Sequence, residues 1–179
     1  MWRNIIAVLV LVAAVLVGAY WYGQAHHTAA INDSSSVSTV INQFGSTLGK
    51  VSLTAPDAKD EIGAGYSPYV AAPLLMQWEN NPVQAPGRAV SSPWPDRIQV
   101  DSMTLRQDGS YVVEGSVIEI TSNEVAHGGI AAQYPVKLTL EKTGDQWLIT
   151  QFERGAESTS SIGSTSSLRA SSGQASTSQ

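Results

Sequence analysis

The chain contains no cysteine. That excludes disulfides, a thiol nucleophile, a thiolate metal site and the lipid-modified cysteine of a lipoprotein. Histidine is scarce, with three residues, two of them adjacent at His26 and His27. No further ligand lies near that pair, so an exposed linker accounts for it better than a metal site does. Basic side chains are also few: ten Lys and Arg stand against fifteen Asp and Glu, a net charge of −5. Neutralising phosphates needs a basic face, so nucleic acid is not an expected partner. There is no Ser-His-Asp pattern, no glycine-rich phosphate loop and no metal-ligand spacing, and no cofactor is expected.

What the chain does have begins with an uncharged apolar run from Ile5 to Tyr22. It is long enough to cross a bilayer as a helix. Trp2 at one end and Tyr20, Trp21 and Tyr22 at the other would sit at the two interfaces. Arg3 is the only Lys or Arg before Lys50, which puts the N-terminus in the cytoplasm and the remainder outside. Residues 1–25 are therefore expected to be a transmembrane anchor at the cell membrane, and 26–33 a juxtamembrane spacer. The alternative is a cleaved signal peptide with its small-residue site at Val17-Gly18-Ala19, leaving a secreted chain. The aromatic cluster beyond the apolar run favours the anchor.

The expected domain spans 34–154, about 120 residues, enough for one self-contained core. Asp33 or Ser34 caps a helix reaching Lys50, in which Val37, Val40, Ile41, Phe44 and Leu48 form one apolar stripe. A short helix is expected from Pro56, interrupted by Tyr66-Ser-Pro-Tyr69. Another runs from Pro73 to Glu79, with Leu74, Leu75 and Trp78 as its buried side.

Asn81–Asp96 reads as a proline-rich loop, and long ordered loops beside a sheet often carry function. Trp94, set between Pro93 and Pro95, is a rigid aromatic knob. Arg88, Asp96 and Arg97 are candidates for an ion-pair cluster beneath it. With Tyr66 and Tyr69 they make up the candidate binding residues. The plainer reading has Trp94 plugging the end of the sheet and Asp96–Arg97 setting the strand entry, and that reading is preferred.

Three or four antiparallel strands follow as a meander. Arg97–Leu105 leads through the Asp108-Gly109 hairpin signal into Tyr111–Thr121. In the second of these, Tyr111, Val113 and Val117 share one face and Val112, Ile118 and Ile120 the other. Gly115 at that change of phase predicts a bulge or bend. Ser122–Ala132 is expected to contain a turn at Gly128-Gly129. Tyr134–Glu141 alternates, with Val136, Leu138 and Leu140 opposite Lys137, Thr139 and Glu141, the pattern of a sheet with one wet face. Thr143-Gly144-Asp145 turns into Trp147–Phe152. From 155 to 179 serine, threonine, glycine and alanine dominate, a composition expected to stay disordered.

The order of helix, short helices, proline-rich loop and long meander resembles the nuclear-transport-factor-two-like superfamily. The likeness covers about Asp33 to Glu153. Its most specific piece is Tyr134–Phe152, where a turn leads into a tryptophan-led final strand. The resemblance implies a cone-shaped α+β fold: helices packed on a twisted antiparallel sheet of three to four or more strands. It carries no catalytic motif. The superfamily includes isomerases, cyclases, dehydratases, transport adaptors and membrane-anchored assembly domains, so fold alone selects no function.

Enzymes of that superfamily place an acid–base dyad inside the cone. Here His127 lies in a glycine-flanked stretch, and the carboxylates in reach are Asp101, Glu114 and Glu119, with Tyr66, Tyr69 or Tyr111 as a donor opposite. Each has an ordinary alternative as a solvated strand residue, and no catalytic residue is assigned. The reading that results is a non-catalytic, membrane-tethered module outside the cytoplasm, binding a protein partner or a small apolar ligand. The alternative is an isomerase- or dehydratase-like cone enzyme, which requires a buried Glu114 or Asp101.

Overall fold

The computed structural model describes residues 33–155. The apolar N-terminal run, the His26-His27 pair and the serine-rich tail lie outside the described residues. No helix among the described residues is long and apolar enough to cross a membrane.

Helix α1 covers 33–47 and tightens into a 3-10 turn at Leu48–Lys50. Its expected stripe is the buried face: Val37, Ile41, Phe44 and Leu48 are all fully buried, and Val40 packs at the margin. The hydroxyls of Thr39, Ser46 and Thr47 donate to the carbonyls of Ser35, Gln43 and Phe44, which satisfies polar residues otherwise weak in helices. Gly45 and Gly49 let the helix lie directly on the first strand. A Cβ at Gly45 would stand 2.8 Å from the Ile98 nitrogen, and one at Gly49 2.4 Å from the Pro95 oxygen.

Helix α2 runs Ala58–Tyr66 and α3 Ala72–Asn80, the latter with Pro73 in its first turn as expected. Between them, the backbone at Tyr69–Ala71 docks on the last strand: Ile149 N donates to Tyr69 O at 2.8 Å and Ala71 N to Ile149 O at 2.9 Å.

The sheet is a four-stranded antiparallel meander in the order β1 (Trp94–Leu105), β2 (Tyr111–Ile120), β3 (Ala132–Thr143), β4 (Gln146–Arg154). The α+β class is as expected, but several boundaries differ. β1 begins at Trp94, not Arg97, so Trp94 belongs to the strand. Pro95 is tolerated because β1 is an edge strand with one unpaired side.

The bulge expected in β2 sits instead on β1. Val100 pairs with Gly115 and Ser102 with Glu114, which leaves Asp101 as the extra residue. β2 does not change phase at Gly115. Tyr111, Val113 and Val117 face the helices, while Val112 and Ile118 on the reverse side are buried as well. The reverse face is therefore not uniformly wet: Thr139 is also buried, its hydroxyl donating to Gln151 Oε1 at 3.3 Å.

Ahead of the turn expected at Gly128-Gly129, a short helix α4 forms at Ser122–His127. Thr121 and Glu124 make a reciprocal capping box: Asn123 N donates to Thr121 Oγ1 at 3.1 Å, and Thr121 N to Glu124 Oε2 at 2.9 Å. The Thr121 hydroxyl, then the Asn123 side-chain amide and the Thr121 backbone N–H, donate to the Glu124 carboxyl and hold it down to about 2. A depressed carboxylate supports the fold above its unfolded value, near 4.3, and that support is lost as pH falls through the folded value. The α4 amides are expected to lose hydrogen-exchange protection between about pH 4 and pH 2 while the sheet keeps its own. Thr121→Ala is expected to cost about 1 kcal/mol and to fray α4 at neutral pH.

Candidate functional site

The centre of the domain is aromatic. The Phe44 ring lies 5.1 Å from Tyr66, 6.4 Å from Tyr69, 6.3 Å from Trp78 and 6.3 Å from Phe152, centroid to centroid. Trp78 in turn meets Tyr66 and Phe152 edge to face at 5.9 Å. These rings come from α1, α2, the α2–α3 connection, α3 and β4, and they occupy the space between helices and sheet.

Tyr66, a candidate binding residue, is fully buried in this cluster. Its hydroxyl donates to the Pro86 carbonyl, which pins the proline-rich loop to α2. Burial, then the nearby Tyr134 and Glu61, push its phenol well above the ordinary tyrosine range. A raised phenol supports the fold below the unfolded value near 10 and loses that support as pH rises toward the folded one. Alkaline unfolding is therefore expected to begin above about pH 10. Tyr66→Phe is expected to cost about 1–3 kcal/mol by leaving Pro86 O without a donor, and to flatten that alkaline limb in pH-dependent urea melts.

Tyr69 is half-buried against the same rings, held by its own carbonyl on Ile149. Neither tyrosine shares a site with the loop residues. Asp96 and Arg97 pair with each other at 2.6 Å, between side chains 37% and 49% exposed. A pair that wet contributes about 0–1 kcal/mol. Arg88 is exposed and makes no ion pair with them. Its backbone is what matters locally, with Arg88 N donating to Val51 O at 2.9 Å and Leu53 N to Arg88 O at 3.0 Å. Trp94 is half-buried, opposite Ile120 in register and 3.5 Å from where a Gly49 Cβ would stand. It packs the start of β1 against the end of α1. The six candidates thus separate into two tyrosines at the centre, one buried and one half-buried, a strand start and a loop clamp.

The carboxylates weighed for catalysis also lie away from the centre. Asp101 and Glu114 are exposed, and Glu119 is half-exposed at the end of β2. Asp101 and Glu114 line an open groove of about 370 Å³ with Ser116, Lys137, Glu153 and Arg154. His127 is exposed at the end of α4, its Nδ1 3.1 Å from Asn123 O. Tyr111 is buried beneath Trp147, 5.2 Å between centroids, and its phenol is raised by burial and by the Asp33 charge. No group of three or more His, Cys, Asp or Glu able to hold a metal occurs among the described residues.

One cluster has no counterpart in the sequence reading. Asp33, on α1, accepts from Lys142 Nζ at 2.8 Å and from Trp147 Nε1 at 3.4 Å. The Lys142 ammonium also sits 5.7 Å from the centre of the Trp147 ring. The Lys142 bond holds the Asp33 carboxyl below the usual range, and Asp33 raises Lys142 in return. With Asp108, Gly109, Ser110 and Glu141 these residues border an opening of about 530 Å³. They are 109 and 114 positions apart, which no motif would reveal.

Fold and surface together define a small α+β domain whose aromatic centre is packed and whose charged groups are outward. No protein-family model matches the chain, and no curated protein matches it. Among solved structures, the intermembrane space region of the chloroplast protein ARC6 is similar at 18% identity. The alignment covers 69% of this chain and 94% of that one, with a TM-score of 0.38. A likeness at that level carries no function across.

Proposed function

We propose that this chain is a single-pass, membrane-anchored module outside the cytoplasm that binds or assembles with a protein partner and does no chemistry, on a nuclear-transport-factor-two-like cone. The observation that carries the reading is the filled centre. The space between helices and sheet, where a cone enzyme on this reading would need its dyad, is taken by Phe44, Tyr66, Trp78 and Phe152. The same packing weighs against a small apolar ligand inside the cone. The isomerase- or dehydratase-like alternative needs an inward Glu114 or Asp101, and both are in solvent. The surface is not uniformly polar: Met76, Val83, Val90, Leu105, Val125 and Ile130 are each about half exposed or more, on separate elements. The anchor rests on the apolar run at Ile5–Tyr22 and its flanking aromatics.

The test is crosslinking and pull-down of the full chain from native membranes. One stoichiometric protein partner supports the reading, and Trp94→Ala and Met76→Asp then map the contact. A chain found alone in the membrane sinks the assembly role. A chain recovered only in the soluble fraction sinks the anchor.

A further inference from the structure

We propose that the outer edge of β1 is where a second copy of this chain docks, strand against strand and antiparallel, about a twofold axis at Met103. The inference rests on the assembly reading above and names its partner. Among the described residues β1 pairs with β2 alone, and no backbone hydrogen bond is made on its other side. Such an edge offers a row of donors and acceptors to any strand that fits it. Proteins blunt their edges with proline, charge or a bulge. β1 carries all three before Ser102: Pro95, the Asp96–Arg97 pair and the bulge at Asp101. From Ser102 to Leu105 it carries none.

The helix-side face at that end of β1 is also poorly covered. α1 crosses the sheet diagonally, from the β3–β4 tip, where Asp33 meets Lys142, to the start of β1, where Gly45 and Gly49 lie against Ile98 and Pro95. Val100, Met103 and Leu105 all point to the helix side, since their register partners are Gly115, Val113 and Tyr111. Val113 and Tyr111 are buried, yet Leu105 is 51% exposed and Val100 and Met103 are half-buried. The result is an apolar stripe that runs along an unpaired edge.

What selects a second copy is that this stripe matches itself. Directly opposite residues of an antiparallel pair share a face. With the axis at Met103, that side chain meets Met103 of the second copy. Leu105 then lies opposite Val100 and Asp101, two residues that fill one position at the bulge. Ser102 and Thr104, exposed on the other face, come opposite each other, hydroxyl to hydroxyl. Arg106 falls beside Asp101, so opposite charges meet at both symmetric ends. Moving the axis one residue, to Ser102, would set Arg106 against Arg97 of the second copy, and like charges directly opposite are unfavourable.

The lack of cysteine makes the register testable in the full-length chain, purified in detergent. In Met103→Cys the two thiols meet on the axis, within the separation that a disulfide spans. Mild oxidation should give a covalent dimer there and none for Val90→Cys, which is exposed in the loop before β1. Light scattering of the parent chain should give the protein mass of two chains, and Leu105→Lys that of one, with thermal melts showing the variant folded. Asp101→Arg should shift the equilibrium toward single chains, and Arg106→Asp added to it should restore the pair. A parent chain with the mass of one, no cross-link at Met103, or a dimer unchanged by Leu105→Lys overturns the edge pairing. A single chain that still captures a different protein from native membranes overturns the second copy alone. One that captures none overturns the assembly reading with it.

Discussion

Phe44→Ala is expected to lower the unfolding free energy by about 3–5 kcal/mol. The side chain is fully buried and its ring touches four others, from α2, the α2–α3 connection, α3 and β4. Removing it opens a void that rigid neighbours cannot close, since Tyr66 is tethered to Pro86 and Tyr69 to Ile149. Domains of this size have about 5–15 kcal/mol in total, so the loss is a large share of the whole. Urea denaturation followed by tryptophan fluorescence reads it, with the buried Trp78 and Trp147 among the reporters. Phe44→Leu keeps most of the volume and should cost less than half as much. A loss below about 1.5 kcal/mol for the alanine variant would mean that the centre collapses freely and is not the rigid filling that the proposed function relies on.

Gly115→Ala is the second large effect, and its cause is the opposite, too much matter where too little space exists. A Cβ at Gly115 would stand 2.2 Å from the Gln99 oxygen and 3.2 Å from the carbon of the same carbonyl. Both are backbone atoms, so no rotamer change relieves the clash. β1 would have to move away from β2 at the place where Asp101 already bulges. We expect a loss of about 3 kcal/mol, or about 10 °C in Tm. Gly109→Ala is the control. It has open space around it but a φ of +84°, so only backbone strain acts there, expected to cost about 1 kcal/mol. Equal effects at the two positions would show that close approach is not what selects glycine at 115.

The elements that depend on local periodicity were legible. The α1 stripe falls at helical spacing and is the buried face. The alternation of Val136, Leu138 and Leu140 places all three in the core. Both patterns arise because one side of an element meets apolar neighbours along its whole length. The four-residue signal of α4, threonine at 121 and glutamate at 124, was also present in the chain. Gly128-Gly129 beside it suggested a turn, and Gly128 does end the helix with a φ of +77°. The prolines flanking Trp94 concealed the start of β1, because their effect on a strand depends on whether that strand lies at an edge.

The sequence by itself determined the α+β class, the order of helices before an antiparallel meander, the acidic balance and the chemistries that lack of cysteine excludes. Each follows from composition or from side chains within a few positions of one another. Only the tertiary structure decided that Tyr66 and Tyr69 fill the centre, that Asp101 and Glu114 face water, and that Arg88 stands apart from Asp96 and Arg97. It alone brought Asp33 onto Lys142 and Trp147. Burial and pairing between such residues depend on how helices and strands lie over one another, and side chains more than a hundred positions apart leave no local pattern from which to read it.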